Sequence, residues 1–529
     1  MKKLLKKVIS LAVCLLMVFS AVSVAAAAAE EKYPVIYIEG YGDGLFKSDS
    51  KRSEETRIYP TNADVGAIIK EALEPCLKEL ANGLITDNYD KYCDELYNAV
   101  APIYKDLVLD KNGEASDGSG DGYDPKTQKL SLKKYSDTLS AYRFHYDWRL
   151  SPMDVADELK IYIDRVKTHT GKSKVSLVGR CLGGNMISAY LAKYEDHAAE
   201  SVNSVVMYIS SSNGIKAIGG LFSGNIVLND DNVDRFANYY IPEKELISDD
   251  ELVVFVTSLI TFINEAKLLG LGTDALQKIV DTVKNDLVPR LALSCYASFP
   301  SYWAMVDTAT YEEARDFIFK GIEDEYAGMI KKIDSYYYEV QTDIGETMKR
   351  LEKSGISFGI ISKYNLPALP VYAEADEQSD GFTGVEETSF GATSAKLDKV
   401  LSKKYIDSLE TTAYLSPDNK IDASTCLFPK TTWFIKDITH ANFPACIDVL
   451  ISSFIYSNGA MTTESNETFP QYLQFNAESS TLTPVEGPDP EVPSKGSGES
   501  IAIAVVRFFT SLLNFIRRLI NGDFKNLFA

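Results

Sequence analysis

Residues 174–184 read Lys-Val-Ser-Leu-Val-Gly-Arg-Cys-Leu-Gly-Gly. The run 174–178 is short, apolar and β-branched, as a buried strand is, and 185–194 has the spacing of a helix. Between them Gly179-Arg180-Cys181-Leu182-Gly183 sets a glycine two residues to either side of Cys181. A strand that passes into a helix through so tight a turn strains the central residue and lifts its side chain above the sheet. The glycines are needed because a Cβ there would strike the neighbouring helix and strand. Cys181 is therefore the candidate nucleophile, and a buried structural cysteine in a glycine-rich turn is the alternative.

Outward from this turn the same alternation continues. Residues 33–38 (YPVIYI) read as a strand running into the glycine-rich turn 39–44. A second strand over 141–148 precedes an amphipathic helix over 153–168. Strands follow at 204–209, 355–362 and 432–436, the last closing the sheet. Strand and helix in alternation define a mostly parallel α/β sheet. Helical patterns over 63–107 and most of 214–354 are too long to be connections, so insertions are expected at about 45–135 and 214–354, the second a cap or lid. Its apolar stretch 252–263 reads as cap core, with lipid contact as the alternative. Asp117-Gly118-Ser119-Gly120-Asp121-Gly122 has the alternate oxygens of a calcium loop, but Gln128 stands where a bidentate Glu is needed. It reads as a flexible acidic loop, and no metal is expected.

A thiol nucleophile needs a base and an acid. The four histidines are His145, His169, His197 and His440. In a sheet with this kind of turn the acid and then the histidine follow the nucleophile, and His440 is the one that lies in a loop after a late sheet strand. His197 ends the helix that leaves Cys181 and reads as a solvated surface residue. His145 and His169 precede the nucleophile and read as structural. Asp380 in Ser379-Asp380-Gly381 is the candidate acid, with Asp376 and Glu377 as neighbours that remain open. Asp380 would hold the His440 tautomer. The backbone N–H groups of Leu182 and Tyr41 are the expected oxyanion donors. Arg180 either favours the thiolate, meets an anionic substrate group, or simply packs.

The chain ends and composition bound the setting. Lys2, Lys3, Lys6 and Lys7, an apolar run and an alanine tract ending at Ala29 make 1–29 a secretory signal peptide, with a retained membrane helix as the alternative. The expected location is extracellular. Residues 30–483 read as the catalytic domain and 484–500 as a Pro/Gly/Ser linker. Residues 501–529 read as an amphipathic segment that reaches a membrane or cell surface, or else docks on the domain. Of the 529 residues, 54 are basic and 75 acidic, giving a net charge of −21. That balance disfavours nucleic acid, whose phosphates call for clustered Lys and Arg. Beyond the leader stand Cys76, Cys93, Cys181, Cys295, Cys426 and Cys446, without zinc spacing, Cys76 and Cys93 being the nearest candidates for a disulfide.

The turn at Cys181, the phrase Tyr146-Asp147-Trp148-Arg149-Leu150-Ser151-Pro152, the stretch Phe299-Pro300-Ser301-Tyr302-Trp303 and Ser379-Asp380-Gly381 together resemble the lecithin:cholesterol acyltransferase-like branch of the α/β-hydrolases. The resemblance covers about 33–450. It implies an α/β-hydrolase fold and a lipase, phospholipase or acyltransferase that works through an acyl-enzyme on an acyl-ester or lipid substrate, with no metal or organic cofactor. The chain departs from that pattern in carrying Cys181 for the usual Ser and Arg180 for a frequent His, and Glu39-Gly40 stands where His-Gly is usual in the wider fold. The rival reading is a catalytically silent binding or cell-surface protein that kept the fold.

Overall fold

Alternation along the apolar strands gives the sheet two buried faces, because successive side chains of a strand point to opposite sides. The computed structural model describes residues 32–41, 44–47, 52–60, 65–130, 139, 142–240 and 272–487. Among these, eight strands form one sheet: β1 (Val35–Ile38), β2 (Tyr142–Phe144), β3 (Val175–Arg180), β4 (Val202–Tyr208), β5 (Ser357–Tyr364), β6 (Thr432–Lys436), β7 (Tyr472–Asn476) and β8 (Thr481–Pro484). Their spatial order is β8-β7-β6-β5-β4-β3-β1-β2, parallel throughout except for the last hairpin, β7 with β8. Ile36, Ile38, Leu177, Val205 and Ile360 face α1 (Pro152–Thr170) and α2 (Leu182–Lys193). Val35, Tyr37, Val178, Val206 and Ile361 face α3 (Ala445–Tyr456) on the other side. Helices on both faces of a mostly parallel sheet make this an α/β fold of the α/β-hydrolase type.

Local chemistry sets the helix ends. α1 starts where the Ser151 hydroxyl accepts the Met153 N–H and Pro152 fills the first turn, and it stops at Gly171, whose φ of +69° suits glycine. The sequence placed a strand over 141–148, but β2 is only Tyr142–Phe144. Beyond it the aromatic and charged side chains of 146–149 are spent on packing and hydrogen bonds rather than on a ladder. Nor does β6 close the sheet, since β7 and β8 extend it. Pro484 pairs with Leu473 and Val485 is buried, so the first residues of the expected linker belong to the folded unit.

The acidic loop is not loose either. Phe46 and Gly120 exchange backbone hydrogen bonds of 2.8 and 3.0 Å. The Ser119 hydroxyl accepts from Arg149 Nη2 at 3.1 Å. Arg149, wholly buried, also grips Asp147 at 3.0 and 2.6 Å and donates to the Leu107 carbonyl at 2.9 Å. This pair ties the insertion to the loop after β2. Replacing one partner strands the other's charge in the core, at a cost of about 3–5 kcal/mol. Arg149→Met is accordingly expected to lower the urea midpoint steeply, and an unchanged midpoint would show that Asp147 is satisfied without it.

Helices Val65–Thr86 and Asp90–Tyr104 pack on Thr273–Leu293, with Cys76, Leu80, Cys93, Ile279, Val283 and Leu287 in one cluster. Helices before β2 and a helix after β4 thus meet. No disulfide joins Cys76 to Cys93 or any other pair among the described residues. The leader 1–29, the stretch 252–263 and the tail 501–529 lie outside the described residues. Among those described, no helix is long and apolar enough to cross a membrane.

Candidate active site

β3 delivers Cys181 at the point where strand turns to helix. Cys181 has φ +51° and ψ −127°, a conformation rare for a residue with a side chain. The turn is that tight because α2 starts against β1: a Cβ at Gly183 would stand 2.2 Å from the Ile38 carbonyl oxygen. Gly40 closes on the same place, where a Cβ would lie 3.1 Å from the Leu182 nitrogen and 3.2 Å from the Cys181 Cβ. The turn before Tyr41 therefore lies against the first N–H of α2. Leu182 is the first residue of that helix, so its N–H has no intrahelical acceptor.

His440 arrives on the loop after β6, and Asp380 on a turn after β5. His440 Nδ1 lies 2.7 Å from Asp380 Oδ2, and Nε2 lies 3.3 Å from Cys181 Sγ. An ionised carboxylate only accepts, so Nδ1 carries the proton toward Asp380 and Nε2 faces the sulfur. The loop is fixed again by the His440 N–H donating to the Asp380 carbonyl at 2.8 Å. Asp380 is wholly buried, and its carboxylate accepts further bonds from Phe382 N, Thr383 N and the Thr383 hydroxyl at 3.0, 2.7 and 2.8 Å.

The charges follow from these contacts. Burial alone would lower the His440 pKa, but the Asp380 and Cys181 charges and their hydrogen bonds raise it to about 10. Burial works to raise the Asp380 pKa, and His440, Thr383 and Lys363 outweigh it and hold the carboxyl below its usual range. Imidazolium and carboxylate are thus mutually stabilised.

The other candidates are occupied elsewhere. Asp376 pairs with Lys396 at 2.7 Å, and Glu377 with Lys216 at 2.9 Å. His197 is not solvated as expected; it bridges the Tyr190 hydroxyl at 2.8 Å and Asp164 Oδ1 at 2.9 Å. His145 stacks on Tyr123, and His169 meets the Tyr142 ring edge-on. Arg180 is committed to Glu39 at 3.0 Å and lies over the Phe443 ring at 3.8 Å, so it is not a free receptor for a substrate anion. Glu39 also pairs with Arg143 at 2.8 Å, so the residue standing for the usual His is an ion-pair hub.

Sequence reasoning did not find Thr383, Tyr146 or Lys363. Thr383 had a local signal, an Asp with a hydroxyl residue three positions on, which is a common side-chain turn. The Tyr146 hydroxyl lies 2.6 and 2.9 Å from the Glu39 and Gly40 carbonyls and so fixes the turn before Tyr41. Trp148 meets the Tyr41 ring edge-on at 5.2 Å and Phe299 at 5.6 Å. The phrases at 146–152 and 299–303 therefore form one wall behind Tyr41. A cleft of about 280 Å³ at the β7–β8 edge, lined by Tyr414, Pro417, Tyr472 and Val485 among others, contains none of the residues discussed in this section. Among the described residues, no three His, Cys, Asp or Glu side chains gather as a metal site.

The lecithin:cholesterol acyltransferase family matches residues 134–236, the span from before β2 through Cys181 and β4 into the helices that follow it. No curated protein and no solved structure matches. The chain is thus an α/β protein similar, over these residues, to a family of lipid acyltransferases, and the match supports a lipase- or acyltransferase-like function.

Proposed function

We propose that the protein is a secreted acyl-ester hydrolase or O-acyltransferase that acts on lipid esters through a covalent acyl-enzyme on Cys181, with His440 as base and Asp380 as its orienting acid. The observation that carries this reading is the unbroken chain of contacts from the Asp380 carboxylate through both His440 nitrogens to the Cys181 sulfur. The Cys181 thiolate attacks the ester carbonyl carbon, and the carbonyl π pair moves to oxygen. The N–H groups of Leu182 and Tyr41 receive that oxyanion; one such donor is worth about 3 kcal/mol of transition-state stabilisation. Collapse breaks the C–O bond, and the departing alkoxide takes the Nε2 proton of His440. The thioester is then attacked by water or an alcohol, which gives its proton to Nε2. The second collapse expels the thiolate and restores the pair.

In this reading 1–29 is a signal peptide, the catalytic domain runs through Val485, and 501–529 meets a membrane surface. Val505, Phe508, Phe509, Leu512, Phe515, Ile516 and Leu519 recur at helical spacing, with Arg507, Arg517 and Arg518 to meet anionic headgroups. The test is a panel of phospholipid, glyceride and small soluble esters with product analysis, run on the mature chain and on one lacking 488–529. The full mature chain is expected to cleave or transfer acyl groups. The shortened chain is expected to keep its rate on a soluble ester but to lose binding to vesicles containing anionic lipid. No turnover of any ester would replace the enzyme reading with that of a binding protein. Unchanged vesicle binding would refute the role of the tail.

A further inference from the structure

Lys363 sits near the end of β5, in the sheet, with no exposed surface. Its Nζ lies 2.9, 3.1 and 2.8 Å from the carbonyl oxygens of Thr439, His440 and Asn442. Three acceptors need three protons, and an ammonium has three where a neutral amine has two. The arrangement is therefore that of the cation, although burial pulls its pKa down to about 7 against the attraction of Asp380 and Cys181. The charges that act on it are those of Asp380, Arg180 and Cys181, and the titratable His440 belongs to the loop that it grips. The rings of Phe443 and Tyr208 stand 4.7 and 5.1 Å from Nζ. A buried charge is a poor way to fill space, since a methionine of similar length would fill it without desolvating an ion. What the ammonium alone can do is answer all three carbonyls of the irregular loop whose histidine faces the sulfur.

We propose that Lys363 is a positioning residue: its ammonium latches the loop that carries His440 and so holds the imidazole against the Cys181 sulfur. This rests on the reading of Cys181, His440 and Asp380 as the catalytic groups. β5 thereby serves both partners of the nucleophile. It leads into the turn that carries Asp380, where Leu366 N donates to the Ser379 carbonyl at 2.9 Å, and its Lys363 fastens the histidine loop from behind. A lysine that only supported the fold would owe nothing to the state of the sulfur.

The experiment compares the mature wild-type chain with Lys363→Met, Lys363→Gln and Lys363→Arg. It follows iodoacetamide alkylation of the peptide containing Cys181 across pH, together with kcat and KM on a soluble ester. Lys363→Met is expected to lower kcat about 100-fold with little change in KM, and to move the midpoint of Cys181 alkylation upward by about one pH unit. Lys363→Gln keeps two of the three N–H groups for the loop, so it serves if the methionine variant does not fold, and a smaller movement in the same direction is expected. Lys363→Arg, which keeps charge and donors, is expected to restore most of both. A loss of thermal stability with kcat and the alkylation midpoint unchanged in the Met or Gln variant would overturn the proposal. Wild-type Cys181 that alkylates no faster than free cysteine at any pH would instead overturn the reading of the nucleophile on which it rests.

Discussion

Cys181→Ala is expected to abolish turnover of every ester the protein cleaves, a loss of about 10⁴-fold or more, while leaving the chain folded. The size of the effect follows from the proposed role: removal of a nucleophile leaves only binding and oxyanion stabilisation to act on a free water. The fold should survive because Cys181 is only partly buried, and alanine is smaller at a position whose strain comes from the backbone turn. Iodoacetamide near neutral pH should label Cys181 far faster than Cys295, whose thiol burial pushes well up, or Cys426, pushed up to about 11. Cys181→Ser is expected to keep a small residual rate, because the longer C–S bond places the attacking atom differently from a hydroxyl. Product formation by Cys181→Ala, or labelling at Cys181 no faster than at the buried thiols, would return the cysteine to a structural role.

Why the sequence points to Cys181 and His440, leaves Asp380 among neighbours and is silent on Lys363 comes down to range. The turn at Cys181 is written in one stretch, strand then glycines then helix, because its sterics are local. His440 stands out by chain order and by following an apolar strand that the structure reproduces as Thr432–Lys436. Asp380 could be separated from Asp376 and Glu377 only by contacts: Lys396 and Lys216, both remote in sequence from the histidine, take the other two carboxylates. Lys363 is farther still from any local signal. A lysine in a strand reads as a solvent-facing residue, and its burial comes from carbonyls that lie 76 to 79 positions along the chain. The same limit explains the short β2 and the missed β7 and β8. Tyr146 and Trp148 look like strand residues by composition, yet each is held by a partner beyond its neighbours. β7 pairs with β6 and carries the edge strand β8 on its other side, so both depend on pairings that the local sequence does not show.

His440→Ala is the second expected loss of about 10⁴-fold, and His197→Ala is its control. His440 is the histidine within reach of the sulfur, at 3.3 Å, and without it neither leaving alkoxide nor incoming acceptor has a proton partner. The variant should remain folded, because Asp380 keeps Phe382 N, Thr383 N and the Thr383 hydroxyl as donors. His197→Ala removes a bridge between Tyr190 and Asp164, so it should lower the melting temperature somewhat and leave turnover nearly unchanged. The pH dependence gives a separate check. The His440 pKa is raised from 6.5 to about 10, so its stabilising contribution is full below about pH 6.5 and fades as pH rises through about 10. The Asp380 pKa is lowered, so its contribution is present above its ordinary value near 3.8 and fades only as pH falls through the lower folded value. Thermal melts of wild type and His440→Ala should therefore differ most between about pH 4 and 6.5 and converge toward alkaline pH. A difference that instead grows as pH rises to about 6.5 and stays constant above it would mean that His440 is neutral in the folded protein, and equal losses of turnover in the two histidine variants would remove His440 from the role of base.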